Sequence, residues 1–269
     1  MLLTIDAGNT NIVFTVFGEE GGTSSASVLE SRIDTNTARM ADQYAIILGD
    51  ILRLHGADIN AFTGAIVSSV VPTVTRNICA AITFLTNFKP MVVEPGLKTG
   101  LNIKIDNPGE LGADLVCGAV AAKALYPLPC IVIDLGTVSK VMALDKDGAL
   151  IGGVLCAGVG VSFEMMATKT ALLPLVGTGA GASVKLPVIG TNTTDCIRGG
   201  ILHGTACMLD GLVFAFEEKM NLKCGSCTVV ATGGFSEVIA PYCKRELIVN
   251  KTLTSQGLRI IYGLNKFPK

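Results

Sequence analysis

The 269-residue sequence predicts an α/β fold built from two copies of one sheet-bearing half. Apolar runs of strand length alternate with segments of helical spacing, which is the pattern of mixed α/β proteins. One strand–Asp-x-Gly–turn–strand unit occurs twice, at Asp6 and, 128 residues later (134 minus 6), at Asp134. A repeat at this distance indicates two homologous halves rather than a solenoid, whose period is about 20–50 residues.

The elements of the first half follow from its patterning. Helical spacing of apolar residues predicts a helix over Thr37–His55, which stops at Gly56, and Pro72 opens a second helix to about Leu85 because proline is tolerated in a first helical turn. Strands are predicted at Met1–Asp6, Asn11–Phe17, Val28–Ile33, Phe62–Ser68 and Lys89–Val93, with a turn at Gly18–Thr23.

The second half repeats this order, so we divide the chain into residues 1–110 and 111–269. Strands are predicted at Cys130–Asp134, Ser139–Leu144, Ala149–Leu155, Thr228–Ala231 and Glu246–Val249. Helices are predicted at Leu111–Tyr126, Ser162–Thr170, Thr193–Met220 and Ser255–Tyr262.

Composition excludes several classes of protein. Lys+Arg is 21 and Asp+Glu is 22, whereas a nucleic-acid binder normally has a basic excess. The uncharged run Gly148–Phe163 is shorter than the roughly 18 residues of a membrane span, and the segment Met1–Asp6 lacks the basic start of a signal peptide. We therefore expect a cytoplasmic protein with no nucleic-acid or membrane partner. Its low charge content, 16%, fits a surface covered in an oligomer.

The nine cysteines are scattered and odd in number, which is typical of reduced thiols in a cytosol. Cys224 and Cys227 form one CxxC, but a structural zinc site needs a second converging pair. With only two histidines, a Ser/His/Asp hydrolase is disfavoured. We expect His203 to be a packed or capping group and His55 to lie at a helix C-terminus.

The two Asp-x-Gly turns are the candidate functional elements of this sequence. An acid that ends a buried strand is costly unless it is paired or binds a cation, and a glycine two residues later lets the backbone approach a ligand closely. Such turns present N–H groups to phosphate, with Asn9, Thr10 and Thr137 as neighbouring donors. One turn alone is an ordinary β-hairpin, but two at matched positions favour phosphate binding.

Short motifs extend this pattern over almost the whole chain. In order they are Asp6-Ala7-Gly8-Asn9-Thr10 with Ile12, Ser68-Ser69-Val70-Val71-Pro72, Asp106-Asn107-Pro108, Gly112-Ala113-Asp114, Asp134-Leu135-Gly136-Thr137, Gly152-Gly153, Thr170-Ala171-Leu172-Leu173-Pro174, Gly190-Thr191-Asn192-Thr193, Thr232-Gly233-Gly234, and Leu253-Thr254 with Gly257-Leu258. The hairpins resemble those of the acetate and sugar kinase/Hsc70/actin superfamily, and the whole chain resembles the type III pantothenate kinases.

This resemblance implies two ribonuclease H-like (actin-like ATPase) halves with an ATP cleft between them. It implies a cytoplasmic homodimer that phosphorylates pantothenate to 4'-phosphopantothenate with Mg-ATP, the first step of coenzyme A biosynthesis, and that requires a monovalent cation, K⁺ or NH₄⁺.

The resemblance also implies roles for single residues. The general base would be Asp114, the cation would lie on Asp134, and the pantothenate site would include Gly112, Ala113, Asp114 and Thr193. The implied ATP-binding residues are Asp6, Ala7, Gly8, Asn9, Thr10, Asn11, Ile12, Val13, Thr137, Gly233 and Gly234. From the residues alone, Asp114 could instead be the N-cap of a helix that begins at Leu115.

The chain departs from the family pattern near this expected site. Leu115 stands where the family has Arg, and Leu cannot form the bidentate fork of a guanidinium. Ile105 replaces a Tyr, Ala157 replaces a Pro, and Lys140 adds a cation at the second hairpin. Two alternatives therefore stay open: a non-catalytic nucleotide-binding or regulatory relative, and a kinase of another small hydroxylated acceptor.

Overall fold

The computed structural model describes residues 1–18, 27–179 and 186–266, which form two compact units. Unit 1 comprises Met1–Leu101, Asp106–Leu125 and the chain from Thr252 onward, and unit 2 comprises Asn102–Ile105 and Tyr126–Lys251. These bounds differ from the division at residue 110, because Asp106–Leu125 and the last helix of the chain pack in unit 1, whereas Asn102–Ile105 pairs with the sheet of unit 2.

Unit 1 has a five-stranded sheet in the order β3-β2-β1-β4-β5. Strands β1 to β3 are antiparallel neighbours, while β4 and β5 run parallel to β1. The strands are β1 (Leu2–Ala7), β2 (Asn11–Phe17), β3 (Ser27–Asp34), β4 (Gly64–Ser69) and β5 (Met91–Val92). The helices are α1 (Ala41–Leu54), α2 (Pro72–Thr86), α3 (Ala113–Leu125) and α7 (Leu253–Lys266).

Helices α3 and α7 cross closely in unit 1. A Cβ atom at Gly257 would overlap the carbonyl oxygen of Cys117, so only glycine allows this approach. Helix α3 is buried over Val116–Ala122, which explains its nearly uniform apolar sequence. The close crossing fixes the start of α3, and with it Asp114, against the unit-1 sheet.

Unit 2 has a six-stranded sheet in the order β11-β10-β7-β8-β9-β6. The strands are β6 (Asn102–Ile103), β7 (Cys130–Leu135), β8 (Val138–Leu144), β9 (Ala149–Ala157), β10 (Thr228–Thr232) and β11 (Ile248–Val249). The helices are α4 (Val159–Thr168), α5 (Thr193–Lys219) and α6 (Ser236–Ile239).

The duplication predicted from the Asp-x-Gly repeat is present in the fold. Strands β7, β8 and β9 are antiparallel like β1, β2 and β3, and β10 and β11 extend the sheet in parallel as β4 and β5 do. The order of buried and exposed positions in β7 is the same as in β1, and that in β8 is the same as in β2. The predicted α/β fold with two mixed sheets is therefore confirmed.

A few predicted elements differ from those observed. Helix α1 begins at Ala41 rather than at Thr37. At its observed start, the side-chain oxygen of Gln43 accepts the backbone N–H of Met40 (2.9 Å). The edge strand β6 was not predicted, because two residues carry no periodicity. Most of the turn predicted at Gly18–Thr23 lies outside the described residues.

Helix α5 is the one helix in the described ranges that is long and apolar enough to cross a membrane by length and composition. Its residues Ile201, Leu209 and Val213 are buried in the apolar core of unit 2. In its C-terminal half, the Asp210 carboxylate accepts N–H bonds from Lys244 (2.8 Å) and Arg245 (3.0 Å). We therefore assign α5 as a core helix of unit 2.

Candidate active site

The first Asp-x-Gly hairpin presents an exposed turn on a rigid base. The N–H of Gly8 donates to the carbonyl of Asn11 (2.9 Å), which closes the turn around the exposed residues Asn9 and Thr10. Thr35, the residue after β3, braces it, because it donates its N–H to the carbonyl of Thr10 (2.8 Å) and its hydroxyl to the carbonyl of Gly8 (2.7 Å). Sequence reasoning missed Thr35, since its role depends on how β2 and β3 pair.

The half-buried Asp6 lies at the end of β1, opposite Ser68 of β4 in the sheet register. The thiol of Cys117 on α3 is fully buried. Burial raises the pKa of the Cys117 thiol well above its usual range, and the negative charges of Asp6 and Asp114 raise it further. Both carboxylates therefore lie within electrostatic range of one thiol, so the structure brings the first hairpin and Asp114 together in unit 1.

Asp114 lies in the first turn of α3, which begins at Ala113 rather than at Leu115. Its Oδ1 atom accepts the backbone N–H of Leu115 (2.8 Å), and a Cβ at Gly112 would lie only 2.6 Å from that oxygen. Asp114 is thus not the N-cap of the helix, and Gly112 makes room for its carboxylate.

The two apolar departures are placed in different units. Leu115 is half-buried in the first turn of α3, directly after Asp114, and Ile105 is half-buried in the short segment of unit 2 around β6. Neither side chain offers a charge or a hydrogen-bond donor. Neither side chain can therefore bind an anionic group through a charge or a hydrogen bond.

The second hairpin carries an internal ion pair. Asp134 of β7 lies opposite Lys140 of β8 in the register, and the Lys140 Nζ atom is 3.0 Å from Asp134 Oδ2. The side chains are 20% and 18% exposed, so water screens the pair only in part. The turn itself is exposed at Thr137, and α4 begins directly against it, because a Cβ at Gly158 would overlap the carbonyl oxygen of Thr137.

The Thr232-Gly233-Gly234 turn packs against the end of β7. Gly233 has a positive φ of 89°, and a Cβ there would lie 2.6 Å from Asp134 Oδ1 and 2.6 Å from the backbone carbon of Leu135. The N–H of Phe235 donates to the Leu135 carbonyl (3.2 Å), which holds the turn in place. Gly234 is exposed beyond this contact. The structure thus brings this turn and the second hairpin together.

Thr193 is exposed at the start of α5 and lines a cavity of about 570 Å³ in unit 2. The helix is capped by Asn192, whose side-chain oxygen accepts the N–H of Asp195 (2.9 Å). The other lining residues are Met166, Leu173, Gly190, Thr191, Asn192, Cys196 and Ile197. The cavity therefore combines an apolar wall with hydroxyl and amide groups.

The remaining candidate groups have structural roles. His203 packs edge to face on Tyr242, with ring centroids 4.8 Å apart, and its Nε2 is 3.1 Å from the Leu186 carbonyl oxygen, as expected for a packed group. His55 is the C-cap residue of α1. Cys224 is exposed and Cys227 buried, and no cluster of three potential metal ligands was found within 1–18, 27–179 and 186–266.

Comparison with known proteins identifies the family of this chain. Residues 2–215 match the family described as Type III pantothenate kinase. The type III pantothenate kinase of Moorella thermoacetica is 36% identical over 267 residues, which cover 98% of this chain and 100% of that protein. The enzyme of that name from Exiguobacterium sibiricum is 37% identical over 270 residues, covering 99% and 100% of the two chains.

Solved structures show the same fold at low identity. A Campylobacter jejuni protein described as a Baf family transcriptional activator superposes with a TM-score of 0.61 at 17% identity, covering 98% of each chain. The activator of 2-hydroxyisocaproyl-CoA dehydratase from Clostridium difficile, with bound ADPNP, superposes with a TM-score of 0.56 at 14% identity, covering 98% of this chain and 94% of that one.

Proposed function

This chain belongs to the type III pantothenate kinase family, and we propose that it transfers the γ-phosphoryl group of Mg-ATP to the hydroxyl of pantothenate. The product is 4'-phosphopantothenate, and the reaction is the first step of coenzyme A biosynthesis. One observation carries the proposal: the half-buried carboxylate of Asp114 is oriented by Gly112 and Leu115 in the same unit as the Asp6 hairpin.

The ATP contacts are assigned to the two hairpins and to the glycine turn. The exposed turn of the first hairpin offers backbone N–H groups and the Thr10 hydroxyl to phosphate oxygens. The proposed ATP-binding set is Asp6, Ala7, Gly8, Asn9, Thr10, Asn11, Ile12, Val13, Thr137, Gly233 and Gly234. Mg²⁺ is typically bound through one or two carboxylates, waters and the substrate phosphates, so a dedicated protein cage is not required.

Asp114 is assigned as the general base. Phosphoryl transfer depends mostly on positioning and charge neutralisation, with one carboxylate to accept the proton of the attacking hydroxyl. The N–H bond from Leu115 fixes the orientation of this carboxylate. Gly112 and Ala113 would line the pantothenate site beside it.

A cytoplasmic homodimer is the assembly that we infer. Unit 2 exposes large apolar side chains that would be covered between two copies: Leu155, Val161, Met165, Leu172, Leu175, Val188 and Ile189. Thr193 lines the cavity in this same unit, so we assign it a contact with pantothenate bound by a partner copy. Sedimentation at micromolar concentration tests the dimer.

The decisive experiment measures ADP release with ATP and Mg²⁺, with and without pantothenate. Asp114→Asn should lower turnover by about 10²–10⁴-fold, the usual contribution of a general base, while ATP binding persists. The matched control is Asp147→Asn, which changes an exposed acid in the β8–β9 turn and should leave turnover unchanged.

The other outcomes identify the alternatives. ATP binding measured by calorimetry, without turnover of any acceptor, would identify a non-catalytic relative. Turnover restricted to a different hydroxylated acceptor would identify a kinase of another substrate. Full activity of the Asp114→Asn variant would refute the assignment of the base.

The monovalent cation implied at Asp134 does not fit the residues present. The Oδ2 atom of that carboxylate is already 3.0 Å from the Lys140 ammonium. A second cation at the same half-buried carboxylate would be repelled by this fixed charge.

A further inference from the structure

The fixed charge at the second hairpin follows from the pairing of β7 and β8. Asp134 and Lys140 are direct cross-strand partners, and such pairs have Cβ atoms roughly 4.5–5.5 Å apart. The lysine therefore needs no rearrangement of the backbone to reach the carboxylate, and its Nζ–Oδ2 distance is 3.0 Å. A built-in ion pair of this kind is part of the sheet and not a chance surface contact.

The carboxylate is also held from its other side. A Cβ at Gly233 would lie 2.6 Å from Asp134 Oδ1, so the backbone of the Thr232–Gly234 turn passes directly beside that oxygen. A Cβ at Gly136 would lie 3.6 Å from the same atom. Asp134 therefore lies between a lysine ammonium on one oxygen and closely packed backbone on the other.

The first hairpin has no such lysine at the matched position. Val13 lies opposite Asp6 in the β1–β2 register, where Lys140 lies opposite Asp134 in β7–β8. Val13 and Lys140 are both half-buried, and the burial patterns of β2 and β8 are identical. The ammonium is thus an addition specific to the second hairpin and is not a requirement of the repeated fold.

A tethered ammonium and a bound monovalent cation carry the same single positive charge. The Lys ammonium is a compact point charge with three donors, so it can neutralise a carboxylate and a neighbouring phosphate oxygen as a bound ion does. Because it is part of the chain, its local concentration does not depend on the salt in solution. A partly buried pair is also only weakly screened by added salt.

We propose that the ammonium of Lys140 takes the place of a dissociable monovalent cation at Asp134, so that this kinase works without K⁺ or NH₄⁺. The proposal rests on the proposed function for its kinetic test. The juxtaposition of Lys140 and Asp134 in unit 2 also gives it a test that requires no turnover.

The kinetic test compares turnover at equal ionic strength in about 100 mM choline, K⁺ or NH₄⁺ chloride, which keeps screening constant. The wild-type rates should agree within about twofold, since the charge is already in place. Lys140→Met, which keeps the apolar stem, should lose about tenfold or more in choline and recover with K⁺ or NH₄⁺. Lys104→Met is the matched control, because it removes a 2.9 Å ion pair with Asp145 elsewhere in unit 2 and should behave as the wild type.

The second test measures ATP affinity by calorimetry and thermal unfolding in the same three salts. Affinity and Tm of the wild type should be equal in all of them, whereas K⁺ should raise one or both for Lys140→Met. Lys140→Gln serves if the Met variant does not fold.

Activation of the wild type by K⁺ or NH₄⁺, or a Lys140 variant that no cation rescues in rate, affinity or Tm, would overturn the proposal. Absence of pantothenate turnover in every salt would instead refute the proposed function, and the binding and unfolding comparison would still decide the role of Lys140.

Discussion

Replacing Gly112 with Ala tests whether the orientation of Asp114 matters for catalysis. The new Cβ would lie 2.6 Å from Asp114 Oδ1, whereas ordinary contact begins near 3.4 Å. The carboxylate must therefore move by about 0.8 Å, or rotate away from the N–H of Leu115. Only the end of the Asp114 side chain has to shift. The substitution should therefore displace the carboxylate while changing the free energy of unfolding little.

The expected loss of rate follows from this displacement. A misplacement of about 1 Å can cost about 10²-fold in rate, which is about 2.7 kcal/mol of transition-state stabilisation. Stability should fall by only about 1 kcal/mol, the usual difference between Gly and Ala just before a helix. We expect kcat for ADP release to fall about 10²-fold, with little change in ATP affinity.

Gly109→Ala is the matched control, because a Cβ at this exposed position meets nothing within 4 Å. It should leave kcat unchanged in the same assay, with urea unfolding as the measure of stability for both variants. If Gly112→Ala keeps the wild-type kcat while folded, the reasoning that places Asp114 as an oriented base is wrong.

Three further predictions concern packing, a buried acid and the thiols. Gly257→Ala should lower the free energy of unfolding of unit 1 by about 3 kcal/mol in urea unfolding, because its Cβ overlaps the Cys117 carbonyl. In the same helix, the Cβ of Gly263→Ala meets nothing within 4 Å, so this variant should raise the free energy of unfolding by about 0.5–1 kcal/mol. Glu217→Gln should lower the free energy of unfolding by about 3 kcal/mol, since this 2% exposed carboxylate accepts two backbone N–H bonds and pairs with Arg245. An unchanged free energy in urea unfolding would contradict this structural role. Burial raises the pKa of the Cys130 and Cys243 thiols to about 12 and that of the Cys227 thiol to about 11. Iodoacetamide reacts with thiolates, so at about pH 8 it should modify the exposed cysteines first, as measured by mass spectrometry. The protected thiols are Cys130, Cys243 and Cys227, and the exposed ones are Cys196, Cys207 and Cys224.

Much of the fold could be predicted because its elements are long and periodic. The strands of both hairpins and the helices α2 and α5 are close to their predicted bounds, since apolar spacing reports directly on the buried face. The two-residue strand β6 and the start of α1 were not predicted, because short pairings and caps depend on contacts distant in sequence. The return of α7 to unit 1 was also missed for this reason.

The candidate site was predicted in its residue types but not in its contacts. The motif around Asp114 was evident in the sequence, whereas the bond from Leu115 and the space left by Gly112 required coordinates. The sequence shows Lys140 as an added cation, but only the register of β7 and β8 shows that it pairs with Asp134.

The sequence by itself determined that this protein has two related sheet-bearing halves and the ordered motifs of a type III pantothenate kinase, because periodicity and motif order are local properties of the chain. The tertiary structure decided which charged groups meet. Cross-strand register and helix crossing bring together residues from separate elements, such as Asp6 and Asp114 around the Cys117 thiol, and no spacing rule encodes that proximity.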